Sequence, residues 1–329
     1  MPKWTFIIKL LQVHTNLCVF CILFCITIAH FFSLYGEYNY AHIPEEKLLD
    51  ELHKELASNY VVKKNKPECT YNSILKSKQC IKNWELKKEV IDFSANSIAN
   101  GSYAPTDCNP MFSVAILVTY RNRQKHLDTF LPYMHNFLRK QKIHYKIYLI
   151  EQQDNKKWNK GTLYNIGARH AIAEKFPCLI LQDVDLLPLD EANLYVCTKQ
   201  PRHMSASIDK FRYVLPYTTL VGGVLAIRAD QYIKINGFSN KYEGWGGEDD
   251  DFAKRIISHN MDIIRFPRRM SRYSMLRHPQ EPKNAMRVQL LADSARFEAA
   301  GDGFALPAAL NVRVRVRTER LFTHLLVRL

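Results

Sequence analysis

Short apolar runs alternate with longer amphipathic segments through the middle of the chain, and this alternation predicts strands and helices in turn. Ser113–Tyr120 is a continuous apolar run of strand length, rich in β-branched side chains, as is typical of a parallel strand buried on both faces. Further strands are predicted at 146–150 and 178–181, and helices at 127–138 and 163–171, where apolar residues recur at helical spacing. This strand–helix order predicts an α/β fold with a mostly parallel central sheet.

The polar residues after these strands are candidates for ligand binding, because such sheets bind ligands beyond the carboxyl ends of their strands. Arg121 and Arg123 follow the first strand and suit phosphates or a carboxylate. Asp183 and Asp185 end the third strand two residues apart, so they can share a face suited to a divalent cation that bridges phosphate oxygens. Surface arginines and solvated turn carboxylates are the alternative interpretations.

Residues 244–251 read Gly-Trp-Gly-Gly-Glu-Asp-Asp-Asp and are followed by apolar residues at helical spacing. Carboxylates are therefore expected in the first turn of a helix, where the helix dipole favours negative charge. Trp245 between glycines is typical of a mobile flap over a pocket. A solvated acidic helix start is the alternative.

The tetrapeptide Met275-Leu-Arg-His278 is a weaker candidate for metal binding. Histidine is a common metal ligand, whereas methionine is an unusual partner for a hard cation. A core methionine beside a surface histidine is the alternative interpretation.

The N-terminal pattern predicts a membrane anchor. Residues 17–34 are apolar and almost uncharged, a length that can just span a bilayer as a helix. Lys3 and Lys9 precede this stretch and Glu37 follows it, a bias that places the N-terminus in the cytosol. A cleaved signal peptide is the alternative. We expect a cytoplasmic tail at 1–15, a transmembrane signal-anchor at 16–36, a luminal stem at 37–105 and a catalytic domain at 106–329.

Composition narrows the functional classes. The net charge of +14 would suit nucleic acid or an anionic surface. However, the lysines and arginines are dispersed and the chain has no zinc-finger or RNA-binding motif, so we expect no nucleic-acid partner. Arg313, Arg315 and Arg317 alternate with valines and predict an edge strand with one charged face.

Five of the eight cysteines lie beyond the predicted anchor, where the secretory pathway permits disulfides. They are Cys69, Cys80, Cys108, Cys178 and Cys197. Because five is odd, at least one thiol is free or pairs between chains. Asn100-Gly-Ser102 is an acceptor sequence for an N-linked glycan.

Several motifs then occur in order: Tyr120-Arg-Asn-Arg-Gln-Lys-His126, Trp158-Asn-Lys-Gly-Thr-Leu-Tyr-Asn165, Asp183-Val-Asp-Leu-Leu-Pro188, Pro201-Arg-His203, Leu215-Pro-Tyr217, Gly222-Gly223, Ile235-Asn-Gly-Phe238, residues 244–251 and Met275–His278. Together they resemble the β-1,4-galactosyltransferase family, including its invertebrate β-1,4-N-acetylgalactosaminyltransferase branch. The resemblance covers residues 103–284 and is most specific at 244–251. It implies a Rossmann-like, GT-A-type nucleotide-sugar domain on a single-pass type II protein of the Golgi membrane, and it leaves a homodimer open.

The resemblance also implies a role for each matching residue. Mn²⁺ would be held by Asp185, Met275 and His278. The nucleotide of the UDP-sugar donor would contact Arg121, Arg123, Trp158, Lys160, Asp183 and Val184. Trp245 would lie on a closing loop, Asp249 would be the general base, and Glu248 would bind sugar beside it. The acceptor would contact Tyr217, Asp249, Asp250 and Arg287. A disulfide would join Cys178 to Cys197, and Cys108 would pair with Cys69 or Cys80.

The implied reaction is a single displacement that inverts the anomeric centre, with the 4-hydroxyl of terminal β-GlcNAc as the acceptor. Leu220 stands where galactose-preferring relatives carry Tyr and leaves room for an N-acetyl group, so we expect UDP-GalNAc rather than UDP-galactose as the donor. Lys160 and Val288 depart from the family pattern, which has Arg and an aromatic residue there. A catalytically weak homologue that binds sugars at the membrane is therefore the second class of function to test.

Overall fold

The computed structural model describes residues 3–35, 40–77, 81, 98–279, 282–305 and 312–329. The chain divides into two compact units, Met1–Asn39 and Tyr40–Leu329. The first unit contains one helix, α1, at Lys3–Tyr35. Its segment Gln12–Phe31 is exposed and is long and apolar enough to cross a membrane, judged by length and composition. Helix α1 thus includes most of the predicted anchor and most of the predicted tail.

The second unit is built on a central sheet with a smaller sheet beside it. Its strands are β1 (Ser102–Tyr103), β2 (Ser113–Tyr120), β3 (His144–Gln152), β4 (Cys178–Asp183), β5 (Leu186–Pro188), β6 (Arg202–His203), β7 (Ser207–Ile208), β8 (Val224–Arg228), β9 (Arg272–Met275), β10 (Arg313–Thr318) and β11 (Thr323–Arg328). The central sheet has the order β10-β11-β3-β2-β4-β8-β6, with β1 paired to β3, and the smaller sheet has the order β5-β9-β7.

The helices of this unit are α2 (Leu48–Glu51), α3 (Asn72–Leu75), α4 (Gln124–Lys140), α5 (Lys160–Ala173), α6 (Ala229–Lys234), α7 (Glu248–Ser258), α8 (Arg287–Ala292) and α9 (Ser294–Ala299). Two 3₁₀ turns lie at Glu45–Lys47 and Asp209–Phe211. All strands and helices predicted between 113 and 181 are present, with ends extended by a few residues.

The middle of the central sheet is parallel, because β11, β3, β2 and β4 run in the same direction. Alternate side chains of β2 point to opposite faces. Val114 and Ile116 pack in the core cluster that includes Phe130 of α4, whereas Leu117 packs in the cluster that includes Leu163 of α5. Burial on both faces explains why β2 reads as a continuous apolar run.

The edge strand predicted at the basic C-terminal segment is also present. Strand β10 is fully exposed and pairs on one side with β11, at the end of the sheet. Charged side chains on an edge strand discourage pairing with a second chain.

The segment 40–77, predicted to be part of a stem, packs into the second unit. Leu48 and Leu52 are buried in the same core cluster as β2, and so is Tyr71, whose hydroxyl donates to the Lys142 carbonyl at 2.9 Å. A few well-spaced apolar residues in a polar, weakly periodic sequence provide these contacts. The boundary predicted at residue 105 therefore does not coincide with the start of the compact unit, Tyr40.

Two disulfides fasten this unit. Cys178 at the start of β4 is bonded to Cys197, and Cys108 is bonded to Cys69 of the segment 40–77. Cys80, the alternative partner of Cys108, lies outside the described residues. Asn100 of the glycan acceptor sequence is exposed in a tight turn with φ of 54°, so its side chain is accessible for the predicted modification.

Three buried histidines are expected to make this unit sensitive to acid. Burial lowers the pKa of His135 and of His144 to about 4, and burial with the Arg265 charge lowers that of His203 to about 3. At these three groups the unfolded chain therefore binds more protons below pH 6.5, so their contribution to the free energy of unfolding falls as the pH falls. Each histidine should cost about 2 kcal/mol at pH 5.

Urea unfolding of the detergent-solubilised chain between pH 7.5 and pH 5 checks this. His203 is the sharpest case, because its Nε2 lies 3.0 Å from the Gly222 carbonyl and its Nδ1 lies 3.3 Å from the Arg265 guanidinium. His203→Gln should flatten the pH dependence, and His53→Gln at the surface should leave it unchanged. The same pH dependence in His203→Gln as in the parent would contradict the prediction.

Candidate active site

The carboxyl ends of β2, β3 and β4 meet at one cavity of about 400 Å³. Arg121 follows β2, Trp158 lies in the loop after β3, and Asp183 is the last residue of β4, and all three line this cavity. The cavity is also lined by Trp245, Glu248 and Asp249 from the start of α7. The parallel strands thus bring together the ends of the first and third strands, which the sequence singled out, with the loop after β3.

The four consecutive carboxylates of α7 point to different partners. Gly247, with φ of 99°, precedes the helix and allows the chain to turn into it. Glu248 and Asp249 face the cavity, whereas Asp250 accepts a hydrogen bond from the Tyr217 hydroxyl at 2.8 Å. Asp251 is fully buried and accepts a bond from the Arg255 guanidinium at 2.9 Å. One acidic run therefore supplies two cavity residues, one rim residue and one structural residue.

Lys160, the first residue of α5, contacts three carboxylates in this cavity. Its Nζ lies 3.1 Å from Asp183, 3.4 Å from Asp249 and 3.7 Å from Glu248. Burial acts against the ammonium, but the facing Asp183 and Asp249 carboxylates raise the pKa of Lys160 well above its ordinary value. Lys160, which the sequence predicts to contact the nucleotide, is thus also the counter-ion of Asp249, the predicted base.

The Asp249 carboxylate lies close to both Gly222 and Lys160. A Cβ added to Gly222 would lie 2.6 Å from Asp249 Oδ2, so a larger residue there would displace the carboxylate. Burial raises the pKa of the Asp249 carboxyl, and the Lys160 ammonium offsets part of that rise. Such a carboxylate is a stronger proton acceptor than an ordinary aspartate while it remains ionised.

Glu248 has one carboxylate oxygen, Oε2, that is buried and has no hydrogen-bond partner among the described residues. Burial and the neighbouring Asp249 charge raise the pKa of the Glu248 carboxyl. A buried polar atom without a partner is costly, so this oxygen is suited to accept a hydrogen bond from a bound molecule.

Asp185, Met275 and His278 line the same cavity. His278 Nε2 lies 2.8 Å from Asp185 Oδ2, and Arg123 lies 3.2 Å from the same oxygen. Burial acts to raise the pKa of Asp185, but His278 and Arg123 hold it below its ordinary value. The β5–β9 pairing, in which Leu186 faces Met275, brings the two ends of this trio together.

Asp209 is a site residue that the sequence did not indicate. Its carboxylate accepts hydrogen bonds from the Ser274 hydroxyl at 2.6 Å and from the Met275 backbone N–H at 3.0 Å. The 3₁₀ turn that begins at Asp209 also places Lys210 and Phe211 in the cavity wall. No spacing rule reveals such a residue, because its partners lie more than sixty positions away.

The loop that carries Trp245 is fastened to two other segments. The Gly244 N–H donates to the Trp158 carbonyl at 2.7 Å, and the Asn284 N–H donates to the Trp245 carbonyl at 2.9 Å. Gly244, Gly246 and Gly247 all have positive φ, and the Trp245 side chain is partly exposed at the cavity. The Trp245 loop is thus linked to Trp158, a predicted nucleotide contact, and to the segment that contains Asn284.

The remaining predicted residues lie at the edges of the cavity. The Arg121 guanidinium is over the Trp158 ring at 5.3 Å, and Val184 and Leu220 line the wall. Leu220 packs against a small cluster that includes Tyr40 and Leu215. Arg287 contacts the glycines after Trp245 rather than the cavity itself, and Val288 beside it is exposed.

A mixed, mostly parallel sheet with paired carboxylates and cations at its carboxyl edge is the architecture of a GT-A-type glycosyltransferase domain. Residues 64–198 match the family described as the N-terminal region of glycosyl transferase group 7, and residues 202–279 match the N-terminal domain of galactosyltransferase. The chain belongs to the β-1,4-galactosyltransferase family.

Among its relatives, β-1,4-galactosyltransferase 2 of Cricetulus griseus is 39% identical over 235 residues, which cover 70% of this chain and 63% of the relative. β-1,4-Galactosyltransferase 3 of Rattus norvegicus is 43% identical over 198 residues, 60% of this chain and 50% of the relative. The chain therefore spans less than two thirds of these relatives.

Two solved structures are similar to this chain. One is the catalytic domain of Drosophila β-1,4-galactosyltransferase 7 in complex with xylobiose, with a TM-score of 0.53, 26% identity, and coverage of 66% of this chain and 94% of that one. The other is a variant of the Drosophila protein in complex with manganese, UDP-Gal and xylobiose, with a TM-score of 0.54 and 25% identity over the same shares.

Proposed function

We propose that this protein is an inverting β-1,4-glycosyltransferase that transfers a sugar from a UDP-sugar to the 4-hydroxyl of a terminal β-GlcNAc. The observation that carries the proposal is the partly buried Asp249 carboxylate, held between Lys160 and Gly222 in the same cavity as Asp185 and His278. Asp249 would take the proton from the acceptor hydroxyl as that oxygen attacks the anomeric carbon. A single displacement converts an α-linked donor into a β-linked product.

Mn²⁺ is the proposed cofactor, as in the Drosophila complex, and the residues fit such an ion. Asp185 offers a buried carboxylate, His278 an imidazole and Met275 a thioether in one cavity. Among the described residues, no three His, Cys, Asp or Glu side chains are arranged to hold a metal, so the thioether or a bound nucleotide must complete the set. A bound divalent cation would stabilise the charge of the departing diphosphate.

The chain's own residues account for the other requirements of the transfer. Arg121 and Trp158 would hold the nucleotide, and Lys210 lies in the cavity wall where it can meet a phosphate. The partnerless Oε2 of Glu248 would accept a bond from a sugar hydroxyl. Tyr217 and Asp250, already hydrogen-bonded to each other, would present polar groups to the acceptor. Trp245 would exclude water once both sugars are bound.

We further propose UDP-GalNAc as the preferred donor, as in the N-acetylgalactosaminyltransferase branch. Leu220 supports this choice because its aliphatic side chain lines the cavity and packs toward Leu215 and Tyr40. The relatives named above are galactosyltransferases, so UDP-galactose is the alternative donor. The Golgi location, the type II orientation and a homodimer stay predictions. The apolar helix α1 supports the Golgi location and the orientation.

Leu220→Tyr should reverse the donor preference. A tyrosine ring is larger than leucine and would occupy space needed by a 2-acetamido group, so the ratio of GalNAc to galactose transfer should fall by about tenfold or more, the effect of one misplaced group in a pocket. Initial rates with the two donors at equal concentration measure this ratio. Val221→Ile, at the next position, serves as the control. An unchanged ratio would remove Leu220 from the specificity argument.

The function itself is tested with the detergent-solubilised full chain, Mn²⁺, a GlcNAc-terminated acceptor and either UDP-GalNAc or UDP-galactose. Transfer that is lost with EDTA would support the enzyme. UDP–Mn²⁺ binding without transfer from either donor would indicate another acceptor. The exposed Val288, which replaces the family's aromatic residue, would then be the first position to test. Absence of nucleotide binding would favour the alternative of a catalytically weak, sugar-binding homologue.

A further inference from the structure

A second and larger cavity lies beside the candidate active site. Its volume is about 880 Å³, and it lies where the loop after β2, the loop after β3 and the segment from His278 meet. We call it the basic cleft. Arg121, Arg123 and His278 line both this cleft and the cavity described above, so the two spaces share a wall.

The lining of the basic cleft is strongly positive. Its arginine and lysine side chains are Arg121, Arg123, Lys125, Lys156 and Lys157. The one carboxylate in the lining, Asp154, already accepts hydrogen bonds from the Gln152 side chain and from the backbone N–H groups of Lys156 and Leu329. Lys125, Lys156 and Lys157 are exposed, and no carboxylate of the described residues lies within 4 Å of their ammonium groups. Their charges are therefore available to a ligand.

The walls of the basic cleft are held in place before any ligand binds. Arg121 donates a hydrogen bond to the Lys156 carbonyl at 2.8 Å and stacks over Trp158. Asn122, with φ of 51°, forms the turn between Arg121 and Arg123. This geometry connects the loop after β2 to the loop after β3 and holds the Arg121 guanidinium, and a donor that is already held loses little conformational freedom on binding.

We propose that the basic cleft is an anion site that binds a phosphate or sulfate group. Guanidinium and ammonium groups that line one cavity suit the oxygens of a tetrahedral anion. The predicted acceptor residues Tyr217, Asp250 and Arg287 are not part of the lining. The basic cleft therefore lies beside the predicted nucleotide site and away from the predicted acceptor site. The anion is either free in solution or an ester group on a small molecule.

Because Arg121, Arg123 and His278 belong to both cavities, an anion in the basic cleft competes with the nucleotide for those side chains. This competition rests on the proposed function, whereas anion binding by itself does not. Occupancy of the basic cleft therefore weakens nucleotide binding in proportion to the anion concentration.

Isothermal titration calorimetry of the detergent-solubilised full chain, without metal or nucleotide, tests the site. The probes are inorganic phosphate and glucose 6-phosphate, with glucose as the neutral comparison. Lys156→Gln combined with Lys157→Gln should raise the Kd for the phosphate probe by about tenfold or more, the loss of at least one charge-assisted hydrogen bond. Lys63→Gln with Lys64→Gln, two exposed lysines of the segment 40–77, is the charge-matched control and should leave the Kd unchanged.

Saturable binding of inorganic phosphate supports a free anion as the ligand, and binding of glucose 6-phosphate alone supports an ester group. Binding of neither probe overturns the proposal, as does an equal loss in both double variants. A parallel titration with UDP and Mn²⁺ separates the two proposals. If UDP fails to bind while phosphate binds, the anion site stands and the proposed transferase does not. If both bind, phosphate should raise the apparent Kd of UDP.

Discussion

Asp249→Asn is expected to lower kcat by about 10³-fold, within the range that general-base catalysis contributes. The amide has nearly the same shape as the carboxylate, so it still fits against Gly222. It cannot take a proton from the acceptor hydroxyl, and it also removes one of the three negative charges around Lys160. UDP–Mn²⁺ binding should persist, because the nucleotide-side residues Arg121 and Trp158 are untouched.

Steady-state kinetics together with a UDP binding titration check this prediction. Asp250→Asn is the matched control, because the neighbouring carboxylate bonds to Tyr217 at the rim instead of facing Lys160. That variant should raise the KM for the acceptor and change kcat much less. If Asp249→Asn kept kcat within a few-fold of the parent, another group would have to be the base. Equal effects of the two variants would also contradict the assignment.

Lys160→Met should have the second largest effect, on stability and on the pH profile together. Methionine keeps the length of the side chain but leaves Asp183, Asp249 and Glu248 without their shared cation. Breaking a buried ion pair from one side costs about 3–5 kcal/mol, and the loss should be at the low end here because Asp183 and Asp249 are partly exposed. Loss of the ammonium also removes the attraction that lowers the pKa of Asp249, so that pKa rises further.

The direction of both pH effects follows from proton binding by Asp249. With a raised pKa, Asp249 is ionised only at higher pH, so the acid limb of the kcat profile should move to higher pH in Lys160→Met. The folded variant also binds more protons than its unfolded chain, so its free energy of unfolding, measured relative to the parent, should fall further at pH 7.5 than at pH 5.5. Urea unfolding at both pH values measures this difference.

Lys210→Met, at an exposed lysine in the same cavity wall, is the control for stability. It should cost little at either pH because no ion pair joins Lys210 to a carboxylate among the described residues. A Lys160→Met variant with the parent's stability and acid limb would show that the three carboxylates do not depend on Lys160.

The local elements around the sheet were predictable because their periodicity is strong. Strand β2 is buried on both faces and α4 on one, and each leaves a clear pattern in the sequence. Asp183 and Asp185 could be placed at a strand end by the same reasoning. The packing of the segment 40–77 could not, because its contacts come from isolated apolar residues and a disulfide rather than from a repeating pattern.

The spacing of residues in the sequence likewise did not predict which partner each side chain contacts. Four consecutive carboxylates begin α7, yet only the fold shows that Asp251 bonds to Arg255 whereas Glu248 and Asp249 face the cavity. Asp209 and Gly222 are further cases, since their role depends on residues that are distant in the chain. Candidate site residues at strand ends can be recognised in a sequence. The residues of remote loops that hold them in place cannot.

The attachment of the segment 40–77 has a consequence for how the globular unit could leave a membrane. A protease that cut after residue 40 would remove Tyr40, whereas a cut near residue 72 would leave the two pieces joined by the Cys69–Cys108 disulfide. Loss of Tyr40 would expose the hydrophobic side of Leu220. Release of the intact globular unit therefore requires cleavage before Tyr40, and soluble forms designed for expression should begin there as well.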